Sequence, residues 1–483
     1  VHMTPVDQFT CARSQAAVKR AFHSATALPN GEVLLAGGVT GRAGAATIDP
    51  TLGGGDFFAT AEVEILDPGT GTMRRLSVPR LVPRAMHRAL LISTDPIRVA
   101  LFGGLALSGD PATLPVLRPG GDSGELRLLP GSSTIPAPFE IITYDPVSFT
   151  ASAESVPIAG QGLFGTAAPD GVTWSGSPPL LLGGYADATL LGTVDTFTAL
   201  DPLTGATEPA AALAAARIGA SASEVAGGQV LVWGGNLRLA PLITERNFGE
   251  LLSGFGVAPA SQPLTIAAAR QPIQRAFHRA VVLSGGDVLV AGGYAIAADD
   301  SARDPVLATV ERLTVGAEIS AIEITGAEPV GLLDAVLLPN GDVLLSGGDP
   351  SLAADGCPLE PTGLSCSTAA AYRFITGAGT LAPTASMVRA RYGHRGVVLP
   401  DGRVLITGGL HAAAALQVIR DAEIYDPRGA TDDPIADLRP EIVRSPGDLA
   451  RDWQSLEPVS PCAIIELDAT DERISQTLVR AAR

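Results

Sequence analysis

Three features of the 483-residue chain point to an all-β ring of repeated four-stranded units. A glycine doublet closes a short apolar run seven times, a tight-turn sequence precedes most of the doublets, and a strand ending in Asp-Pro follows several of them. The doublets lie at residues 37–38, 103–104, 183–184, 234–235, 292–293, 347–348 and 408–409, so the units run from 51 to 80 residues. A unit of about 60 residues is too small to bury a core alone, which favours one closed array over a string of separate domains. The whole chain, residues 1–483, is read as a single domain.

The hairpin comes first in each unit. Ala25 to Gly38 reads ATALPNGEVLLAGG, Ala335 to Gly348 reads AVLLPNGDVLLSGG, Gly396 to Gly409 reads GVVLPDGRVLITGG and Ala280 to Gly293 reads AVVLSGGDVLVAGG. Asn-Gly, Asp-Gly and Gly-Gly tolerate positive φ, so two antiparallel strands joined by a primed turn are expected. Both strands carry few polar residues, which predicts burial on both faces between neighbouring units. The third strand reads AEVEILDPGTG from Ala61, FEIITYDPVS from Phe139, TVDTFTALDPLTG from Thr193 and AEIYDP from Ala422, and a fourth follows in most units.

A ring must also close. An open last unit would present an unpaired strand edge, so propellers borrow a strand from the other end of the chain. Asp7 to Ala12 and the C-terminal segment 428–483, which is expected to pack on and close the last unit, both supply candidates.

Composition removes several function classes. The 33 Lys and Arg against 50 Asp and Glu give a net charge of −17, and Lys19 is the only lysine. Such a surface repels phosphate backbones, so no nucleic-acid partner is expected. No apolar run approaches the length of a membrane span. The four cysteines, Cys11, Cys357, Cys366 and Cys462, form no CxxC pair and suggest no zinc site; their even number fits two disulfides, Cys357 with Cys366 and Cys11 with Cys462, in an oxidising compartment. An extracellular, cell-surface or periplasmic chain that has lost its signal sequence is the corresponding expectation.

Four units open on Arg-x-x-His: Arg20 and His23, Arg84 and His87, Arg275 and His278, Arg391 and His394. Because the first two strands are antiparallel, these residues and the doublets share one face of the disc. They form a candidate ligand face for an acidic or sugar ligand. The competing reading is that each Arg and His satisfies carbonyls or a carboxylate inside its own blade, since catalytic groups break symmetry and repeated groups maintain it.

With those motifs in hand, the sequence resembles the bacterial kelch-repeat β-propeller family, part of the superfamily of the galactose-oxidase central domain. The resemblance covers roughly Arg20 to Pro427 and implies a seven-bladed kelch-like β-propeller of four-stranded antiparallel blades. The usual fourth-strand tryptophan is missing: the only tryptophans are Trp174, Trp233 and Trp453. Copper-radical oxidases on this fold resemble one another in a Tyr-His pair and a Cys-Tyr crosslink; here no Tyr directly precedes a His, and Gly393 separates Tyr392 from His394. No catalytic residue, metal or cofactor is therefore expected. The expected role is a non-catalytic protein-binding or structural module of an exported assembly, with other protein subunits as partners, and the alternative is a carbohydrate-binding or carbohydrate-active propeller.

Overall fold

Short apolar runs bounded by turn residues become antiparallel strands, and the computed structural model sorts them into four-stranded sheets that make an all-β propeller. It describes residues 7–12, 16–41, 57–107, 117–119, 126–128, 134–136, 139–156, 166–168, 180–182, 196–199, 211–215, 217, 219–235, 248–254, 258–266, 272–295, 309–316, 318–327, 330–350, 367–412 and 416–428. Unit one sets the pattern. Its strands Ser24–Ala27, Val33–Ala36, Val63–Asp67 and Thr72–Leu76 pair in that order from the axis outward, each antiparallel to the next.

Six full blades stand where seven were expected. In those six sheets every strand has four residues or more, whereas the sheet of unit three is built from Thr166–Ala168, Leu180–Leu182, Thr196–Ala199 and Ala211–Ala212. The physical reason is visible in its sequence. Unit three lacks the Arg-x-x-His opening, and Pro178 and Pro179 sit just before its second strand, where a missing N–H cannot join a ladder. Its doublet at 183–184 lies outside the described residues.

The hairpin turns differ from the expected primed form. Leu28 N–H donates to the Glu32 carbonyl and Gly31 N–H to the Leu28 carbonyl, so the loop has three residues, Pro29 to Gly31, with positive φ at Gly31 alone. The same pattern recurs at Leu338 to Asp342 and Leu399 to Arg403. Proline favours this, although Leu283 to Asp287 adopts the same loop with Ser284 in the proline position. Proline fixes φ near −65°, which suits the first position of a type I turn and forbids the positive φ that a primed turn needs there. The Asp-Pro turns are capped by their own aspartates: Gly69 N–H and the Thr70 hydroxyl both donate to Asp67, and Val147 N–H and the Ser148 hydroxyl to Asp145.

Burial on both faces holds for the second strand of each hairpin and not for the first. Val33–Ala36, Val288–Ala291, Val343–Ser346 and Val404–Thr407 are buried at every position. The innermost strands Arg279–Val282 and Arg395–Val398 are half-buried throughout, because each touches Asp334–Leu337 beside it around the axis and leaves one face to the central channel. The core lies between blades. Leu34 and Ile65 of unit one pack on Val99, Leu101 and Ile142 of unit two, and Val33 and Leu35 pack on Leu405 of unit seven. Phe197 of unit three packs with Val230, Val232 and Leu252 of unit four. Each such side chain contributes roughly 1.5–3 kcal/mol on burial, and only a neighbouring blade can supply it.

Closure comes from the N-terminal end. Gln8–Cys11 is the outer strand of unit seven, paired antiparallel with Ala422–Asp426 from Gln8 opposite Asp426 to Cys11 opposite Glu423. Just before it, Asp7 accepts hydrogen bonds from the Tyr425 hydroxyl at 2.8 Å and from Arg373 at 3.1 Å, and the rings of Phe9 and Tyr425 lie 4.9 Å apart. The C-terminal segment beyond Arg428 lies outside the described residues, as do Cys357, Cys366 and Cys462. Cys11 is not a free thiol. Among the described residues no helix is long and apolar enough to cross a membrane.

Candidate functional site

The Arg-x-x-His residues meet where the blades join, at the axial end of the sheets. Arg20, Arg84, Arg275 and Arg391 are each fully buried. Every one forms an ion pair with the second residue of the third strand of its own blade: Arg20 with Glu64 at 2.6 Å, Arg84 with Glu140, Arg275 with Glu311 at 2.7 Å and Arg391 with Glu423 at 2.5 Å. In unit one the partner is Glu64 rather than its neighbour Glu62, which instead pairs with the half-exposed Arg75.

In three of the four, the rest of the guanidinium ties down the glycine doublet. Arg20, Arg275 and Arg391 donate through Nη1 to the carbonyls of Gly37, Gly292 and Gly408 at 2.7–2.8 Å. The glutamates in turn accept from the backbone just before the arginine, as Glu423 does from Val388 and Arg389. Burial pulls these four guanidinium groups below their usual pKa, against the attraction of their glutamates. Burial likewise raises the Glu140 carboxyl, and Arg84 opposes that shift.

While the side chain works within a blade, the backbone and the histidine work between blades. The second glycine of four doublets donates its N–H to the arginine carbonyl of the next blade: Gly38 to Arg84, Gly235 to Arg275, Gly348 to Arg391 and Gly409 to Arg20. A Cβ on Gly37 would sit 2.6 Å from the Arg84 carbonyl and 2.8 Å from His87 Cε1, and φ is positive at both glycines of all six described doublets, so no other residue fits. Each histidine reaches back to a hydroxyl of the preceding blade: His23 to Thr407 at 2.8 Å, His87 to Ser24 at 3.0 Å, His278 to Ser221 at 2.8 Å and His394 to Ser346 at 3.0 Å. Ser24 and Thr407 spend their own protons on the carbonyls of Ala36 and Arg395, so they accept from Nε2–H of His87 and His23. Burial holds His23, His87 and His394 well below the usual imidazole pKa, and nearby arginines add to it, so all three are neutral.

Two units depart from this pattern, unit four at the histidine alone and unit six at the arginine, histidine and glutamate positions together. The arginine lies 17 residues before the first glycine in units one, five and seven. The same spacing finds Arg217 in unit four, which pairs with Glu250 at 2.8 Å and donates to Gly234 although Ala220 replaces the histidine. Sequence reasoning missed Arg217 because it followed the histidine. In unit six the spacing lands on Val330, with Leu333 at the histidine position and Tyr372 at the glutamate position. These three belong to one apolar cluster, and Leu333 packs at Gly292 as a histidine ring does at the other doublets. A polar set is thus exchanged whole for an apolar one.

A second group around the axis has a different makeup. The residue just before the histidine position adopts positive φ in six units: Phe22, Met86, Gly219, Phe277, Leu332 and Gly393. Hydrogen bonds pass around this collar, from Met86 N–H to Phe22, Phe22 N–H to Gly393, Gly393 N–H to Leu332 and Phe277 N–H to Gly219. Behind it, the residue after the histidine position is Arg88, Arg279 or Arg395 in three units and Asp334 in unit six. Among the described residues no group of three or more His, Cys, Asp or Glu side chains could hold a metal ion.

No family model matches the chain, and no curated protein does. The fold does have a counterpart among solved structures. A fungal alcohol oxidase of the AA5 family, in complex with copper, superposes with a TM-score of 0.54 at 14% identity over 88% of this chain and 77% of that one. At that identity the likeness establishes the shared propeller architecture.

Proposed function

We propose that the chain is a non-catalytic protein-binding or structural module of an exported assembly, a kelch-type ring in which the short sheet of unit three takes the place of a seventh blade. The observation that carries this reading is the use made of the repeated polar residues. Arg20, Arg84, Arg275 and Arg391 are spent on buried ion pairs, three of them also on doublet carbonyls, and His23, His87, His278 and His394 on hydroxyls of the preceding blade, so they hold the ring together rather than facing a ligand. Export is supported by the state of Cys11, which is not a free thiol; a link to Cys462 would close a loop of roughly 450 residues and stabilise by about 5 kcal/mol in a chain-entropy account. Non-reducing peptide mapping tests that link, and two free thiols at Cys11 and Cys462 would remove it. For the function itself, the chain is purified under mild conditions from its native source. Elution within a larger assembly is expected. Elution as a lone chain that turns over sugars or alcohols would overturn the proposal in favour of a carbohydrate-active propeller.

A further inference from the structure

The outermost strand of each full blade pairs on one side alone, so the rim of the ring carries a row of strand edges. Unprotected edges of this kind invite pairing with another chain, and proteins protect them with charge, proline, brevity or cover. Five of the six full blades do so. Thr72–Leu76 carries Arg74 and Arg75, Ala260–Pro263 and Thr380–Pro383 each end on a proline, and Gln8–Cys11 has four residues. Ile319–Ile324 is met at its first residue by a parallel bridge from Ile266, with Ile319 N–H donating to the Thr265 carbonyl at 2.9 Å.

Unit two has none of these protections. Its outer strand Thr150–Val156 is the longest at the rim, with seven residues, no proline, no bulge in its pairing with Phe139–Asp145 and Glu154 as its one charge. Ala151 and Ala153 pack on the core shared with unit one, whereas Thr150, Ser152 and Glu154 on the opposite face are exposed. Among the described residues no further strand pairs with it.

The turn that feeds this edge is apolar at its tip. Val147 is 86% exposed and Phe149 43%. Phe149 holds φ at 54°, at the position where the matching turns of units one and six place Gly71 and Gly379. The Arg74 guanidinium lies 3.6 Å from the centre of the Phe149 ring and fixes it there. A strained, exposed aromatic thus stands at the start of the one unprotected edge.

We propose that this edge pairs with the same edge of a second copy of the chain, antiparallel and centred on Ser152, joining two copies of blade two into one eight-stranded sheet. The proposal rests on the reading of the chain as a module of an assembly and names one partner, the chain itself. The strand is complementary to itself in that register. Ser152 lies opposite Ser152, Ala151 opposite Ala153, and Thr150 opposite Glu154, where the threonine hydroxyl can donate to the carboxylate twice by symmetry. Centring on Ala153 instead would set the two Glu154 carboxylates diagonally across the seam, which like charge disfavours. The same register brings the Val147 to Phe149 tip of each copy beside Ser155 and Val156 of the other.

Sedimentation equilibrium on the purified full chain over about 1–100 μM should show a reversible monomer–dimer equilibrium, at about 0.15 M salt to screen the charge of −17 on each copy. Ser152→Lys sets two ammonium groups face to face at the centre and should weaken the dimer by about ten-fold. Thr150→Glu should weaken it by a similar factor and Thr150→Lys should tighten it, because both face Glu154 of the second copy. Circular dichroism checks the fold of each variant, and should Ser152→Lys not fold, the opposite shifts of the two Thr150 variants carry the test. A chain that stays monomeric at about 100 μM, a dimer indifferent to folded Ser152→Lys, or equal effects of the two Thr150 variants would each overturn the proposal. Such a result concerns self-pairing alone, since a monomer that still elutes within a larger assembly from its native source leaves the module reading standing.

Discussion

Replacing Arg391 with methionine leaves Glu423 fully buried with its two backbone donors and no counter-charge, strips the Gly408 carbonyl of its donor at 2.7 Å, and leaves the Asp421 carbonyl only the Gly408 N–H at 3.1 Å. Breaking one half of a buried pair costs about 3–5 kcal/mol, and the orphaned Gly408 carbonyl places Arg391→Met toward the upper part of that range. That is a third or more of the stability of a typical domain. Unit six shows the way out, because Val330, Leu333 and Tyr372 fill the same three positions without charge. The triple replacement Arg391→Val, His394→Leu and Glu423→Tyr should therefore be more stable than Arg391→Met alone, since it removes the stranded carboxylate along with its partner. Urea titration followed by circular dichroism at pH 7 measures both against the parent chain. A loss below about 1 kcal/mol for Arg391→Met, or a triple variant no more stable than that single one, would refute the view that the set acts as one exchangeable packing unit.

Acid should loosen the ring. His23, His87 and His394 are held neutral by burial, so the unfolded chain binds more protons below its usual imidazole pKa of 6.5; their contribution is complete above that pH and is lost as pH falls below it, at about 1.4 kcal/mol per pH unit for each. A melting temperature that stays flat from pH 7.5 to about pH 5.5 would contradict this. Asp7→Ala removes the acceptor that Tyr425, Arg373 and Thr384 share across the closure, and thermal melting should show a loss of about 1.5–3 kcal/mol. Gly393→Ala should cost well over the roughly 1 kcal/mol expected of Gly227→Ala: both glycines have positive φ, but a Cβ on Gly393 meets the Phe22 ring whereas one on Gly227 meets nothing within 4 Å. Equal losses for the two in denaturant titration would show that the Phe22 ring yields freely.

Arginine and histidine were legible as a motif before their purpose was. The sequence places Arg20 and His23 at the start of a strand, but Glu64 lies 44 residues further on and Thr407 lies 384 residues from His23, and nothing local selects them. Arg217 was within reach, because a constant interval of 17 residues to the doublet marks it even though Ala220 hides the motif. The channel arginines carried no repeat signal, since Arg88, Arg279 and Arg395 alternate with serine and aspartate at one position.

What the amino-acid sequence determined by itself is whatever depends on a few consecutive residues. Doublets at positive φ, Pro-Asn-Gly loops and Asp-Pro turns fix where strands start and stop, and their recurrence implies a ring. Tertiary structure decided what depends on neighbours across blades. Only the packed ring makes Gln8–Cys11 the outer strand of unit seven, reduces unit three to a sheet of short strands and exchanges an ion pair for an apolar trio in unit six. It also turns the innermost strands toward a channel, where residues from six units meet at one cavity. The physical reason is range: backbone turns are settled by sterics within four or five residues, whereas burial and charge pairing are settled by whichever blade arrives alongside.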